Sequence, residues 1–227
     1  MRSAPFLAVA IALAVAAPVL HGRPQTPAQA ATQFIAARLV AARPVEYPAN
    51  SVGFGPVVLD VVVDDTGAVA GITPKREIAS LTGAAMASVK KWEYKAATRD
   101  GVPVWSRATV VVMFNPQIPG APKLPPISNV FQQTRAPYDP DPADVESVSW
   151  AQYPWGSMAV VDLSVTLEVN LSDSGAIENV VPIHNVPPLT SAAIAAVKTW
   201  KFLPAHYRGQ AIAAPIAVAF VFRVPAP

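Results

Sequence analysis

Two stretches of the chain alternate apolar residues at a period of two. Val57, Leu59, Val61 and Val63 form one. Leu163, Val165, Leu167, Val169 and Leu171 form the other, interleaved with Asp162, Ser164, Thr166, Glu168 and Asn170. Strand side chains point alternately to opposite faces, so each stretch predicts a strand with one buried face. In the second stretch the other face is polar and is expected to be wet. A turn signal follows each, Asp65-Thr66-Gly67 and Asp173-Ser174-Gly175, with glycine available for positive φ. Short second strands carry Val69 and Ile72, then Ile177 and Val180. Pro74 cannot donate to a ladder, so its strand ends there or lies at an edge. The period then changes. Leu81, Ala85, Val89 and Trp92 recur at helical spacing, as do Ala193, Val197 and Trp200. Thr82 and Thr190 are expected N-caps, and Lys90 and Lys91 fall at the negative end of the first helix. Turns at Arg99-Asp100-Gly101 and Tyr207-Arg208-Gly209-Gln210 lead into final strands. The first runs from Val104 to Phe114 with Val110, Val112 and Phe114 on one face; the second carries Val218, Phe220 and Phe222.

These two series are one pattern written twice. An offset of 108 residues links Trp92 to Trp200, Gly67 to Gly175, Pro74 to Pro182, Gly101 to Gly209 and Phe114 to Phe222; Tyr47-Pro48 and Tyr153-Pro154 are linked by 106. An offset held over such a span is a duplicated unit. The expected organisation is an N-terminal segment 1–30, a connector 31–46 that could hold a short helix, a first domain 47–115, a proline-rich linker 116–146 and a second domain 147–225. The linker is expected to be extended and semi-rigid. The fold class expected is α+β: two tandem small domains, each a short antiparallel sheet with a helix packed on one face. The outer face of the first copy, with Val58 and Val62 around Asp60, is partly apolar, so something is expected to cover it: the linker, the other copy or a partner chain.

Charge and composition narrow the function. The formal charge is +2, and the two arginines of the first 30 residues, Arg2 and Arg23, account for it. No basic stripe remains, which argues against nucleic acid. With no cysteine in the chain, disulfides, thiol catalysis and thiolate metal sites are excluded. The apolar run from Pro5 to Leu20 is short for a span of about 20 residues. It fits the h-region of a secretory signal better than an inner-membrane anchor, with Ala28-Gln29-Ala30 as the cleavage site. Either reading puts the rest of the chain outside the cytoplasm, in the periplasm or cell envelope.

Candidate chemistry is sparse. His21, His184 and His206 are scattered and lack the convergent spacing of a metal site. Asp64-Asp65, and Asp139 with Asp141, fall in turn and linker contexts and are better read as solvated residues than as an acid–base pair. No nucleophile motif or phosphate loop is visible. No cofactor is implied, and the chain does not read as an enzyme. Trp92 and Trp200 lie on the apolar helix stripes and read as core side chains rather than partner contacts.

The order Tyr-Pro, alternating strand, Asp-x-Gly, short strand, helix ending in Val-Lys-x-Trp-x-aromatic (Val89 to Tyr94, Val197 to Phe202), glycine turn and a strand ending in Phe resembles the TonB C-terminal domain, over 47–114 and 153–222. The resemblance implies a small helix-on-sheet module that works in the periplasm by protein contact. It also implies that the last strand offers an edge to an extended peptide, the TonB box of an outer-membrane transporter. By position, those edges would be Ala108 to Phe114 and Ala214 to Phe222. The candidate partner-binding residues are Thr109, Val110, Val111, Val112, Phe114, Val218, Phe220 and Phe222, with Tyr47, Pro48, Tyr153 and Pro154 before the first strands. An equally weighted reading has these edges covered by the linker or by a second copy, in a tandem or swapped dimer. The function implied is a non-enzymatic envelope interaction module with a place in TonB-dependent transport. The alternative is a periplasmic scaffold that uses the domains for self-association or cell-wall contact. The inner membrane is a partner only if the N-terminus is uncleaved.

Overall fold

The computed structural model describes residues 33–116, 124, 138–153 and 163–223. The N-terminal leader, most of the proline-rich stretch and Pro154 lie outside the described residues. Up to the first helix the strands are β1 (Phe34–Ile35), β2 (Arg38–Ala41), β3 (Gly55–Val63) and β4 (Val69–Arg76). Helix α1 (Thr82–Val89) follows, then β5 (Glu93–Lys95), β6 (Ala97–Arg99), β7 (Val102–Val104) and β8 (Ser106–Phe114). The second half has β9 (Asp144–Ser147), β10 (Leu163–Leu171), β11 (Ile177–His184), α2 (Leu189–Val197), β12 (Lys201–Leu203), β13 (Ala205–Tyr207), β14 (Gln210–Ile212) and β15 (Ala214–Phe222).

The α+β class holds, and the two halves join through their sheets. Six strands form one sheet in the order β11-β10-β15-β8-β3-β4. All its neighbours are antiparallel except the central pair, β15 and β8, which run parallel. The register of that seam has a consequence for the faces. The repeat makes Val218 the equivalent of Val110, but Val110 sits opposite Ala217, and Val111 opposite Val218. A slip of one residue turns a strand's side chains to the other face. The two copies therefore present their helices to opposite faces of the same sheet.

Two cores result, one on each face, and each draws on both copies. On one face Val57, Leu59, Val61, Val110, Val112 and Phe114 pack under Leu81, Ala85, Val89 and Trp92, together with Ala217, Ala219 and Val221 of the second copy. On the other, Val165, Leu167, Val169, Val218, Phe220 and Phe222 pack with Ala193, Val197 and Trp200, together with Val58, Val111 and Met113 of the first. The partly apolar outer face of the first copy is thus covered by the second at Val58, which is buried in that core, while Val62 is half-buried. Each such side chain contributes about 1.5–3 kcal/mol on burial, so the seam is held by packing as well as by its ladder.

Both tryptophans are core residues in matching surroundings. The Trp92 indole donates to the Arg43 carbonyl at 3.0 Å and the Trp200 indole to the Ser149 carbonyl at 3.1 Å. The acceptors lie 106 residues apart, the offset of the Tyr-Pro pair. Leu39 pairs with Tyr94 and Val145 with the equivalent Phe202. The repeated unit therefore reaches upstream to Arg38 and Asp144. The connector 31–46, which could have held a short helix, carries β1 and β2 instead, and the end of the expected linker forms β9, preceded by a two-way backbone bridge between Asp141 and His206.

The caps also differ from expectation. Thr82 is the first helical residue, not the N-cap, and its hydroxyl accepts the Ile78 N–H at 2.9 Å and donates to the Ile78 carbonyl at 3.1 Å. Thr190 likewise accepts the Val186 N–H at 2.8 Å. Both hydroxyls tie down the loop before the helix instead of a first-turn amide. Pro74 lies in β4, an edge strand, as its missing N–H requires.

In the first glycine turn, Asp64 accepts from the Thr66 hydroxyl at 2.6 Å and from the Thr66 and Ala68 amides, each at 2.9 Å. The Thr66 hydroxyl, followed by the backbone donors, holds its carboxyl below the ordinary aspartate value. A carboxyl depressed in the folded state stabilises the fold above its unfolded pKa, and that contribution is lost as pH falls through the lower folded value. A carbon-detected NMR titration is expected to place the Asp64 midpoint below that of an aspartate in an unstructured peptide; a midpoint at or above that value would contradict the hydrogen-bond set.

Candidate functional site: the seam and the sheet edges

A backbone edge can bind an extended peptide only if its N–H and C=O groups are unpaired. The strands expected to offer such an edge do not. β8 pairs along its whole length with β3, from Gly55 opposite Phe114 to Val63 opposite Ser106, and on its other side with β15. β15 pairs with β10 over nine residues and with β8 over five. Asn115 extends the seam by donating to the Val221 carbonyl at 3.0 Å. Thr109, Val110, Val111, Val112, Phe114, Val218, Phe220 and Phe222 are all buried, at 2 % exposure or less. Expected as partner contacts, they are the centre of the sheet, because each copy's last strand takes the other's as its neighbour. Of the two readings left open, cover by the second copy in tandem is the one found.

The Tyr-Pro segments brace this seam. Since β8 and β15 are parallel, Phe114 and Phe222 end at the same side. Tyr47 meets Phe114 edge-on at 5.3 Å, and Tyr153 meets Phe222 at 6.0 Å. Tyr47 also donates to the Gly53 carbonyl and lies 4.9 Å beneath the Arg223 guanidinium. Arg223 donates to the Ser51 and Ala49 carbonyls, so the end of the second copy is fastened to the first. Pro48, also expected at the partner surface, is half-buried.

The polar face of β10, expected to be wet, is buried. Glu168 is 2 % exposed. It accepts from Arg38 at 2.5 and 3.1 Å and from the Leu39 N–H at 2.7 Å, and Ser164 accepts the Val45 N–H at 3.0 Å. The segment from Arg38 to Val45 thus straps the first copy onto the second. Burial, and then the charge of Glu168, push the Tyr94 phenol well above its ordinary value. Glu168→Ala leaves the Leu39 amide and part of Arg38 without acceptors, at a cost of about 1–3 kcal/mol for a buried orphaned donor. Urea denaturation is expected to show that loss; an unchanged midpoint would mean the strap does not hold the halves.

Among the described residues, the unpaired ladders of the six-stranded sheet belong to β4 and β11, its outer strands. Equivalent prolines, Pro74 and Pro182, interrupt both, and both carry register shifts against their neighbours. Such devices are how edges are normally blunted. Beyond this the two edges differ. On β4 the Lys90 amine donates to the Val69 and Ala70 carbonyls at 2.6 and 3.1 Å, and Lys75 pairs with Asp144 at 2.6 Å. On β11 the equivalent Lys198 is exposed and makes no such bond to Ile177 or Glu178. The sequence pattern did not single out Lys90, Glu168 or Arg38 for these roles; all three depend on partners far away in the chain.

The remaining polar clusters are structural. Arg107 forks onto Asp60 and reaches Asp141 at 3.2 Å. The His184 Nδ1 is 2.7 Å from the Ser164 carbonyl, and His206 lies in β13. Among the described residues no group of three or more His, Asp or Glu is placed to hold a metal, and no helix is long and apolar enough to cross a membrane.

Comparison with curated proteins gives no match. A family model, that of the Gram-negative bacterial TonB protein C-terminal, matches residues 45–116 and 163–224. Those two segments make up more than half of the chain and each contains one helix-on-sheet unit, so the chain belongs to the TonB protein C-terminal family, twice over.

Proposed function

We propose that the chain is a non-enzymatic TonB-type interaction module of the cell envelope, which takes up extended peptide segments of outer-membrane or periplasmic partners by strand addition. The single observation that supports this most is a doubled family module that leaves ladders unpaired at both outer strands of one sheet. Strand addition uses those backbone groups for affinity and side-chain pockets for choice. With β8 and β15 paired to each other, the peptide joins an outer strand rather than a last strand. Residues 1–30, read from the sequence as a signal peptide or an N-terminal anchor, support a place in the periplasm, and a role in TonB-dependent transport follows if the partner is a transporter.

The scaffold reading has one observation in its favour: in the seam, one module already serves as the partner of the other. Fluorescence anisotropy of a labelled TonB-box peptide with the full chain, paired with analytical ultracentrifugation, separates the two. Saturable binding to a monomer is the expected result. No binding at millimolar protein, with concentration-dependent association instead, would replace peptide uptake by self-association.

A further inference from the structure

We infer that β11, and not β4, is the peptide edge, and that its occupant is an extended segment pairing a basic residue with Glu178 and seating an apolar side chain in the adjoining cleft. This rests on the strand-addition reading and adds to it a location and a sequence preference.

Three observations converge. First, β4 is partly claimed: Lys90 takes the Val69 and Ala70 backbone carbonyls, and the Lys75 side chain is held by Asp144 of the other copy. Among the described residues their counterparts on β11 are not claimed in this way, and β11 pairs with β10 alone. Second, a cleft of about 250 Å³ opens where β11, β10 and β15 run under the N-terminal strap. Its walls include Phe34, Ile35, Leu171 and Pro215, and Ile35 is 53 % exposed. That volume suits one apolar side chain of an added strand. Third, the charges in the cleft are unequal. Arg38 is committed to Glu168 and Asn170, whereas Glu178 is exposed and forms no ion pair among the described residues. The uncompensated charge lining the cleft is negative, so a cation on the incoming strand is favoured there.

The test is selection of a displayed library of random nine-residue peptides on the full chain, followed by NMR mapping of a selected peptide and repetition with Glu178→Lys. Glu178 is exposed, so this variant keeps the fold. The expected result is enrichment of peptides with alternating apolar residues and a lysine or arginine. Their binding should shift the amides of Ile177–His184 and weaken at least tenfold in Glu178→Lys. Peptides that map to Val69–Arg76 would overturn the assignment to β11, and peptides that bind Glu178→Lys equally well would overturn the pairing with Glu178, while either leaves strand addition in place. No enrichment at all would overturn both.

Discussion

Trp92→Ala is expected to cost about 3–5 kcal/mol, the range for truncating a large core aromatic, and to lower one cooperative unfolding transition of the whole chain. Trp92 is 1 % exposed and sits under the sheet on the Leu81, Ala85, Val89 stripe. Its removal leaves a cavity and strips the Arg43 carbonyl of its donor. Trp200→Ala should behave alike: it contacts Phe220 at 5.4 Å and holds the Ser149 carbonyl. The shared sheet makes the sharper point. Neither core is private to one copy, so damage to either should destabilise both. Calorimetry is expected to show a single shifted peak for each variant. Two resolved transitions, only one of which moves, would mean the copies fold independently.

The second large effect is expected at Gly67. A Cβ there would lie 1.9 Å from the Tyr94 carbonyl oxygen, a backbone atom, and the residue has φ +91°. That carbonyl belongs to β5, whose Tyr94 amide in turn donates to the Gly67 carbonyl at 2.9 Å. Alanine must therefore push turn and strand apart while adopting a conformation costly for an L residue. Gly67→Ala is expected to cost about 3 kcal/mol or more, at the level of backbone strain combined with a broken contact. Gly101→Ala is the control: φ is +82°, but nothing lies within 4 Å of the new methyl. Only the left-handed penalty of about 1–2 kcal/mol applies there. Chemical denaturation of both variants distinguishes the terms; equal costs would show that the Tyr94 carbonyl yields freely.

Much of each module was legible in the sequence because its causes are local. Period two at Val57–Val63 and Leu163–Leu171, helical spacing at Leu81–Trp92, and glycines at positive-φ turns each act within a few residues. The seam was not legible as such, although a trace of it is present. Thr109 to Phe114 and Ile216 to Phe222 carry no charge and are apolar on both faces. That is the pattern of strands buried on both sides in parallel pairing. The same lack of charge also suits an open edge, and the choice between them depends on a strand more than 100 residues away. The polar face of β10 misled for a related reason. Thr166 and Glu168 read as solvent-facing, but the strap from Arg38 to Val45 buries them and satisfies Glu168 with its own backbone and Arg38. The strap escaped detection because its equivalence to 144–151 is carried by backbone carbonyls and by Leu39 with Val145, not by identical residues.

Amide hydrogen exchange of the full chain tests the pairing of β8 with β15 most directly. The amides of Thr109–Phe114 and Ala217–Val221 are expected to exchange only by global unfolding, as slowly as those of β3 and β10, while alternate amides of β4 and β11 exchange fast. Fast exchange at every second amide of β8 and β15 would mean that each last strand is an open edge and that the two copies do not share a sheet.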